Sequence, residues 1–199
     1  MELTNQADPY LRPNTSLRSR AARFVWGAVQ ATLFAWSPRP CHAWRAWLLR
    51  CFGARLGSHC HIYPGARIWA PWNLECEDVV SIADEAIIYN PATIFLGSHA
   101  IVSQQAYLCG ATHDYHDPGF PMVSSPITVG RYAWVCARAI VQPGITVGEG
   151  AILGLAALAT KELEPWTIYA GIPAKRIKTR PRPGLRSAPG AAHVPAQPL

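Results

Sequence analysis

A short polar run brings two histidines and two aspartates together, at His113, Asp114, His116 and Asp117. An imidazole can take a proton from a hydroxyl group near neutral pH, so His113 is a candidate general base. Asp114 or Asp117 could orient its ring through the other nitrogen, and a backbone carbonyl could do the same. The opposing interpretation is an exposed loop with solvated side chains.

Basic residues form a second set of candidates. Lys175 and Lys178 lie among several arginines near the C-terminus, and residues 9–74 contain nine arginines and no acidic side chain. With a formal net charge of +6, this asymmetry indicates an anionic partner such as a phosphate-bearing cofactor or a membrane surface. Nucleic acid is disfavoured because no aromatic and basic stripe crosses the strands. Solvated basic ends are the alternative.

Composition excludes several classes of protein. Half of the 199 residues are apolar, which is enough for a core and excludes a fully disordered chain. The N-terminus lacks a secretory signal, and the longest uncharged apolar stretch, residues 24–36, is too short to span a membrane. The six cysteines show neither CxxC nor metal spacing. We therefore expect free thiols, no metal and a cytoplasmic protein.

A six-residue repeat dominates residues 54–170 and predicts the fold. Each hexad opens with an aliphatic residue or cysteine: Leu56, Ile62, Ile68, Cys76, Ile82, Ile88, Leu96, Val102, Leu108, Val129, Val135, Val141, Val147, Leu153 and Ala159. When the hexads are grouped in threes, every longer step falls between the third hexad of one group and the first hexad of the next. Three hexads therefore form one coil of a triangular prism, and the insertions leave from one edge. The expected fold is an all-β core, a left-handed parallel β-helix of about five coils.

The regions before and after the six-residue repeat differ from it in sequence pattern. Residues 1–53 predict an amphipathic helical segment, with helices over 17–35 and 41–52 separated by prolines. Val25, Val29 and Leu33, with Trp26, are expected to form one apolar face, and Trp44, Trp47, Leu48 and Cys51 another. The helices either pack across the first coil or contact a membrane surface. We expect residues 171–180 to form a closing segment, 109–128 a corner loop, and 181–199 a disordered tail.

Three segments resemble the hexapeptide-repeat acyltransferases, and most closely the colanic acid biosynthesis acetyltransferase group, relatives of maltose and galactoside acetyltransferases. They are AYLCGATHDYHDPGFP (106–121), ITVGRYAWV (127–135) and PGITVGEGAILGLAALATKELEPWTIYAGIPAKRIK (143–178). The resemblance implies a homotrimer, with acetyl-CoA as co-substrate in the groove between adjacent prisms. It implies no tightly bound cofactor, and it places the catalytic base at His113.

The resemblance also assigns binding residues. The positions expected to line the coenzyme slot are Gly154, Leu155, Thr160 and Lys161, with Lys175 and Lys178 meeting its phosphates. Asn90 corresponds to an acceptor-binding position, although a turn-forming asparagine is the alternative. Trp134 could stack on the acceptor or pack between subunits.

The sequence therefore predicts an O-acetyltransferase that moves an acetyl group from acetyl-CoA directly to a hydroxyl of a sugar or glycan precursor. The principal alternative is a non-catalytic hexapeptide-repeat scaffold, or a membrane-associated interaction protein. A zinc lyase of the same fold is less well supported, because it needs three histidines from neighbouring coils, and His99 and His113 do not fall into that pattern.

Overall fold

The structure is a computed structural model, and it describes residues 16–182. The beginning of the expected helical segment, residues 1–15, and most of the expected tail, residues 183–199, lie outside the described residues.

Three sheets of short strands form the walls of a triangular prism. The first sheet contains β1 (Arg55–Leu56), β4 (Leu74–Cys76), β7 (Ile94–Leu96), β12 (Ile127–Val129) and β15 (Thr146–Val147). The second contains β2 (His61–Ile62), β5 (Ser81–Ile82), β8 (Ile101–Val102), β13 (Trp134–Val135), β16 (Ile152–Leu153), β18 (Thr167–Ala170) and β19 (Lys175–Thr179). The third contains β3 (Arg67–Ile68), β6 (Ile87–Tyr89), β9 (Tyr107–Cys109), β14 (Ile140–Val141) and β17 (Leu158–Ala159).

Successive coils pair in parallel and in register, so that Leu56 lies beside Cys76, and Cys76 beside Leu96. The first residues of the predicted hexads point inward and are buried, apart from the half-buried Leu56 at the base. Their side chains stack coil upon coil into one continuous core. The predicted left-handed parallel β-helix is confirmed.

The longer connections leave from the edge between the third and first sheets, here called the insertion edge. It carries the 3₁₀ turn Pro71–Asn73, residues 90–93, and a hairpin formed by β10 (Ala111–His113) and β11 (Met122–Ser124). The corner between β14 and β15 lies on the same edge. The single insertion edge inferred from the spacing of the hexads is present.

The N-terminal segment covers the base of the prism. It consists of α1 (Leu17–Val29), a π-helical turn (Gln30–Phe34) and α2 (His42–Cys51). The Trp26 Nε1–H donates to the Ile68 carbonyl at 2.6 Å, and the Gln30 side-chain amide donates to the Ala66 carbonyl at 3.2 Å. These carbonyls belong to the first coil and have no strand below them. The helices therefore hydrogen-bond a sheet end that would otherwise offer unpaired groups.

Packing across the first coil is confirmed for this segment, but the expected helix faces were partly wrong. Trp26 and Phe34 are buried, whereas Val25 and Leu33 are 52% and 53% exposed. The π-helical turn carries an extra residue, which shifts the buried side from Leu33 to Phe34. On the second helix, Leu48 and Leu49 are buried. Trp44, Trp47 and Cys51, expected on that face, are exposed.

Arg45 is a fully buried cation that holds the two helices to the prism. Its Nε donates to the Ile62 carbonyl at 2.6 Å, and its Nη1 donates to the Pro38 carbonyl at 2.9 Å. Because its guanidinium is surrounded by carbonyl oxygens, the cost of burying the charge is offset by hydrogen bonds.

The far end closes with a partial sixth turn. Leu163 bridges Val147 in the first sheet, and β18 pairs with β16 before β19 folds back antiparallel on it. Arg180 then donates to the Tyr132 and Gly150 carbonyls at 2.7 and 2.9 Å. In residues 16–182, no helix has both the length and the apolar character required to cross a bilayer.

Candidate active site

His113 ends β10, the first strand of the hairpin on the insertion edge. It pairs with Met122 across the hairpin, and the side chains of such a pair point to the same face. The Tyr89 hydroxyl, on the wall of the prism, lies 3.6 Å from the Met122 sulfur. The hairpin is therefore fixed against the third sheet on the side that carries the imidazole.

Gly110 makes this close approach possible at the root of the hairpin. Its N–H donates to the Tyr89 carbonyl at 2.7 Å. A Cβ at this position would lie 2.7 Å from the same carbonyl oxygen, which no side chain tolerates. Glycine thus allows the chain to leave the prism against the coil below.

The imidazole of His113 is oriented by Phe120. Its Nδ1 lies 2.9 Å from the Phe120 carbonyl oxygen. A carbonyl only accepts, so Nδ1 carries the proton and Nε2 keeps its lone pair. The Phe120 ring stacks on the imidazole, with centroids 4.5 Å apart and planes at 7°. One residue thus fixes both the tautomer and the plane of the ring.

Asp114 and Asp117 shape the loop without bonding the imidazole. The Asp114 carboxylate accepts from the His116 N–H at 2.9 Å, and that of Asp117 from the Gly119 N–H at 2.7 Å. The Phe120 N–H in turn donates to the Asp117 carbonyl at 2.8 Å. The structure therefore favours the backbone-carbonyl alternative, with the aspartates holding Phe120 in place.

Phe120 is the residue that sequence reasoning missed. It lies seven positions after His113, and its φ of +43° is unusual for a bulky residue. Only the pairing of β10 with β11 brings its carbonyl to the ring. The hairpin itself could have been predicted, because the segments Ala111-Thr112-His113 and Met122-Val123-Ser124 flank a turn that contains proline and glycine.

Asn90 is buried at the insertion edge, one coil below the hairpin. Its Oδ1 accepts from the Ala70 N–H at 2.9 Å and its Nδ2 donates to the Ala70 carbonyl at 2.8 Å. The side-chain amide therefore joins two coils. This arrangement favours the turn-forming alternative over contact with an acceptor.

Trp134 lies on the second sheet, away from the insertion edge. It is 40% exposed, and its Nε1–H donates to the Ser103 hydroxyl at 2.8 Å. That bond fixes the ring, part of which stays exposed. Within one chain, Trp134 and His113 belong to different walls of the prism.

The residues expected to bind the coenzyme lie at the last coils. Gly154 and Leu155 turn the corner between β16 and β17, with Leu155 62% exposed, while Thr160 and Lys161 follow β17 on the insertion edge. The segment 171–174 folds onto β17, where the Ala174 N–H donates to the Leu158 carbonyl at 2.7 Å.

Two cations complete this end. Lys175 and Lys178 are exposed on β19, so their charges can meet an anion in solvent. The last coils therefore place backbone and one apolar side chain at the two edges of the third sheet, and the two cations on β19, at the far end of the second sheet.

All six cysteines are free. Burial raises the pKa of the Cys136 thiol to about 11 and that of Cys76 well above its ordinary value. Cys109 is closest to the site in sequence, and its thiol donates to the Ala111 carbonyl at 3.2 Å. Across residues 16–182, no three His, Cys, Asp or Glu side chains are arranged to hold a metal ion.

Comparison with known proteins decides the family. The chain is 38% identical over 156 residues to WcaF of Escherichia coli (strain K12), named as a colanic acid biosynthesis acetyltransferase. The match covers 78% of this chain and 86% of that protein. The chain is a hexapeptide-repeat acetyltransferase. No family model matches it.

Two solved structures of acetyltransferases share the fold. The enzyme from Vibrio cholerae in complex with acetyl-CoA superposes with a TM-score of 0.74 at 20% identity, covering 85% of this chain and 93% of that one. Galactoside acetyltransferase in complex with coenzyme A gives 0.76 at 19% identity, covering 84% of both chains.

Membership of the hexapeptide-repeat acetyltransferases confirms an acetyl-CoA-dependent enzyme with acetyl-CoA as co-substrate. It sets aside the non-catalytic scaffold.

Proposed function

We propose that this acetyltransferase moves the acetyl group of acetyl-CoA to a hydroxyl of a sugar or glycan precursor, with His113 as general base. The observation that carries the proposal is the bond from His113 Nδ1–H to the Phe120 carbonyl. It directs a free Nε2 lone pair away from the loop. A sugar acceptor is supported by the names of WcaF and of galactoside acetyltransferase.

The chemistry follows from that lone pair. The acceptor oxygen attacks the thioester carbon while His113 Nε2 takes the hydroxyl proton. Collapse of the tetrahedral intermediate breaks the carbon–sulfur bond, and the imidazolium returns the proton to the departing thiolate of coenzyme A. The imidazole bonds Phe120 and not a Ser or Cys side chain in the described chain, which favours direct transfer over an acyl-enzyme.

We propose a homotrimer in which neighbouring prisms share the site. Outward side chains of the second and third sheets are apolar and partly exposed, including Ile101, Trp134, Ile87 and Ile140, and such surfaces favour burial between subunits. Trp134 also lies on a different wall from His113. Packing one prism against the next would let residues of two walls meet at one bound substrate.

The cytoplasm is the compartment we propose, since it supplies acetyl-CoA and keeps thiols reduced.

Light scattering tests the proposed homotrimer. A stable, active monomer near the chain mass of 21.8 kDa would exclude a site shared between subunits.

The test is His113→Ala, measured as coenzyme A release with a panel of nucleotide sugars, free sugars and lipid-linked sugars. We expect turnover to fall by about 10²–10⁴-fold, as for loss of a general base, while coenzyme A still binds. His116→Ala is the matched control, because His116 lies on the same loop and contacts Tyr115 rather than Phe120. Equal losses from both variants, or a greater loss from His116→Ala, would show that the base is misassigned.

A further inference from the structure

The outer side of α1 exposes a stripe of apolar residues. Leu17, Ala21, Phe24 and Ala28 repeat at intervals of three and four residues, which places them on one side of a helix. That side is opposite Trp26, the buried residue that bonds the first coil. Phe24 is 81% exposed. The helix therefore exposes apolar side chains to solvent on the side opposite its contact with the prism.

The stripe continues onto the helical connection. Thr32 donates back to the Ala28 carbonyl at 2.7 Å, and Thr32, Leu33, Trp36 and Trp44 line one groove of about 510 Å³. Trp36 is 85% exposed.

The tryptophans of α2 extend this surface. The Trp44 Nε1–H donates to the Leu33 carbonyl at 2.9 Å, and the Trp44 and Trp47 rings stack at 5.1 Å. We call this surface the aromatic face: Leu17, Phe24, Leu33, Trp36, Trp44 and Trp47.

Positive charge borders the aromatic face. Arg18 and Arg20 are exposed on α1 and flank the stripe on its two sides, by the helical repeat of 3.6 residues per turn. Neither α1 nor α2 contains an acidic residue. A surface that joins exposed tryptophan and phenylalanine with exposed arginine matches the interface of an anionic bilayer, where aromatic rings lie at headgroup level beside lipid phosphates.

We propose that the aromatic face docks this acetyltransferase on an anionic lipid bilayer, with Phe24 and Trp36 inserted and Arg18 and Arg20 at the headgroup phosphates. This interaction is separate from acetyl transfer, because the aromatic face lies at the base of the prism and includes no residue assigned to the active site. The walls that we expect to pack in a trimer are the second and third sheets, which leaves the aromatic face open.

Flotation of the full chain with vesicles tests the proposal. We expect binding to vesicles of equal parts phosphatidylglycerol and phosphatidylcholine, and much weaker binding to phosphatidylcholine alone. Phe24→Ser with Trp36→Ser should weaken partitioning about tenfold or more, because two exposed aromatic side chains lose their apolar burial. Ile177→Ser is the matched control, since Ile177 is 56% exposed at the opposite end of the prism and should float like the wild type.

A second double variant, Arg18→Gln with Arg20→Gln, tests the contribution of positive charge to vesicle binding. This variant should lose most of the preference for anionic vesicles and most of the salt sensitivity of binding. Thermal unfolding and light scattering of each variant check that fold and mass are unchanged. The proposal is overturned if the wild type floats with neither vesicle, or if the Phe24 and Trp36 double variant floats as well as the wild type. It is also overturned if that double variant changes the molar mass, because the aromatic face would then bind a second copy of the chain.

Discussion

The geometry around His113 depends on a backbone atom and a neighbouring ring, neither of which is visible as a motif. A histidine next to aspartates suggests a carboxylate partner, and the structure instead uses the aspartates to build a loop that presents the Phe120 carbonyl. His113 could be selected from the sequence because a motif surrounds it. Its partner was not selected, because recognising Phe120 requires both the pairing of β10 with β11 and a turn in which Phe120 has a positive φ.

Removing the Phe120 ring should slow the chemical step while the protein stays folded. Phe120→Ala keeps the carbonyl and deletes the stacked ring, so the imidazole gains freedom to leave the productive orientation. Aromatic stacking contributes about 0.5–1.5 kcal/mol, and we expect kcat to fall by up to about tenfold, with KM for acetyl-CoA little changed. Steady-state kinetics at saturating acetyl-CoA measure this effect.

Tyr115→Ala is the control for that substitution, because Tyr115 lies on the same loop, is 76% exposed and contacts His116 instead of His113. A wild-type kcat in Phe120→Ala, or an equal loss in Tyr115→Ala, would mean that the ring has no part in orienting the base.

The elements of the prism were the most predictable part of the molecule. A repeat of six residues determines which side chain points inward at every strand. An error in assigning one strand does not shift the assignment of the next, because each coil begins with its own repeat. The helices lacked such a constraint. One extra residue in the π-helical turn moved Leu33 out and Phe34 in, and a periodicity of 3.6 residues cannot foresee that insertion.

Side chains at the corners between the first and second sheets link coils that are distant in sequence. The Glu77 carboxylate accepts from the Ser98 N–H at 2.9 Å and from Arg131 Nε at 3.0 Å. The Arg131 guanidinium is the main cause that lowers the pKa of Glu77 to about 2, followed by the Ser98 N–H. The carboxyl of an unfolded glutamate has a pKa of about 4.3.

Because the folded pKa of Glu77 is the lower one, its stabilising contribution is present above about pH 4.3 and is lost as the pH falls toward 2. Arg131→Gln should therefore lower the thermal unfolding temperature at neutral pH, and the difference from wild type should shrink across that acidic range. Calorimetry or circular dichroism at a series of pH values measures it. Arg138→Gln is the control, because Arg138 bonds the neutral Gln105 side chain. A difference for Arg131→Gln that stays constant down to pH 2 would contradict the assignment.

At the scale of the whole molecule, we propose that the two charged ends bind different partners. The closing strand β19 carries Lys175 and Lys178, which we assign to the phosphates of coenzyme A. Lys175→Ala with Lys178→Ala should weaken coenzyme A binding several-fold, since exposed charge contacts contribute about 0.2–1 kcal/mol each. The effect should shrink at high salt. Isothermal titration with coenzyme A at low and high salt measures the loss of affinity and its salt dependence. The same titration with the 3′-dephosphorylated form measures how much of that loss depends on the 3′-phosphate.

Arg176→Ala is the matched control on the same strand, since Arg176 faces Glu164 at 4.0 Å. If that variant weakens binding as much as the double lysine variant, the effect is one of overall charge. If the lysine variant binds coenzyme A like the wild type, the phosphates lie elsewhere.

The helical cover at the base of the prism also has a consequence for the order in which the chain is made. Synthesis proceeds from the N-terminus, so the cover emerges from the ribosome before any coil. Each later coil pairs with the one preceding it along the chain, as in other one-dimensional repeat folds. Trp26, Gln30 and Arg45 occupy the lower side of the first coil, which leaves the growing nascent protein one open end. We expect the next segment of the same polypeptide to pair at that end, so that coils add from the base upward as the chain is made.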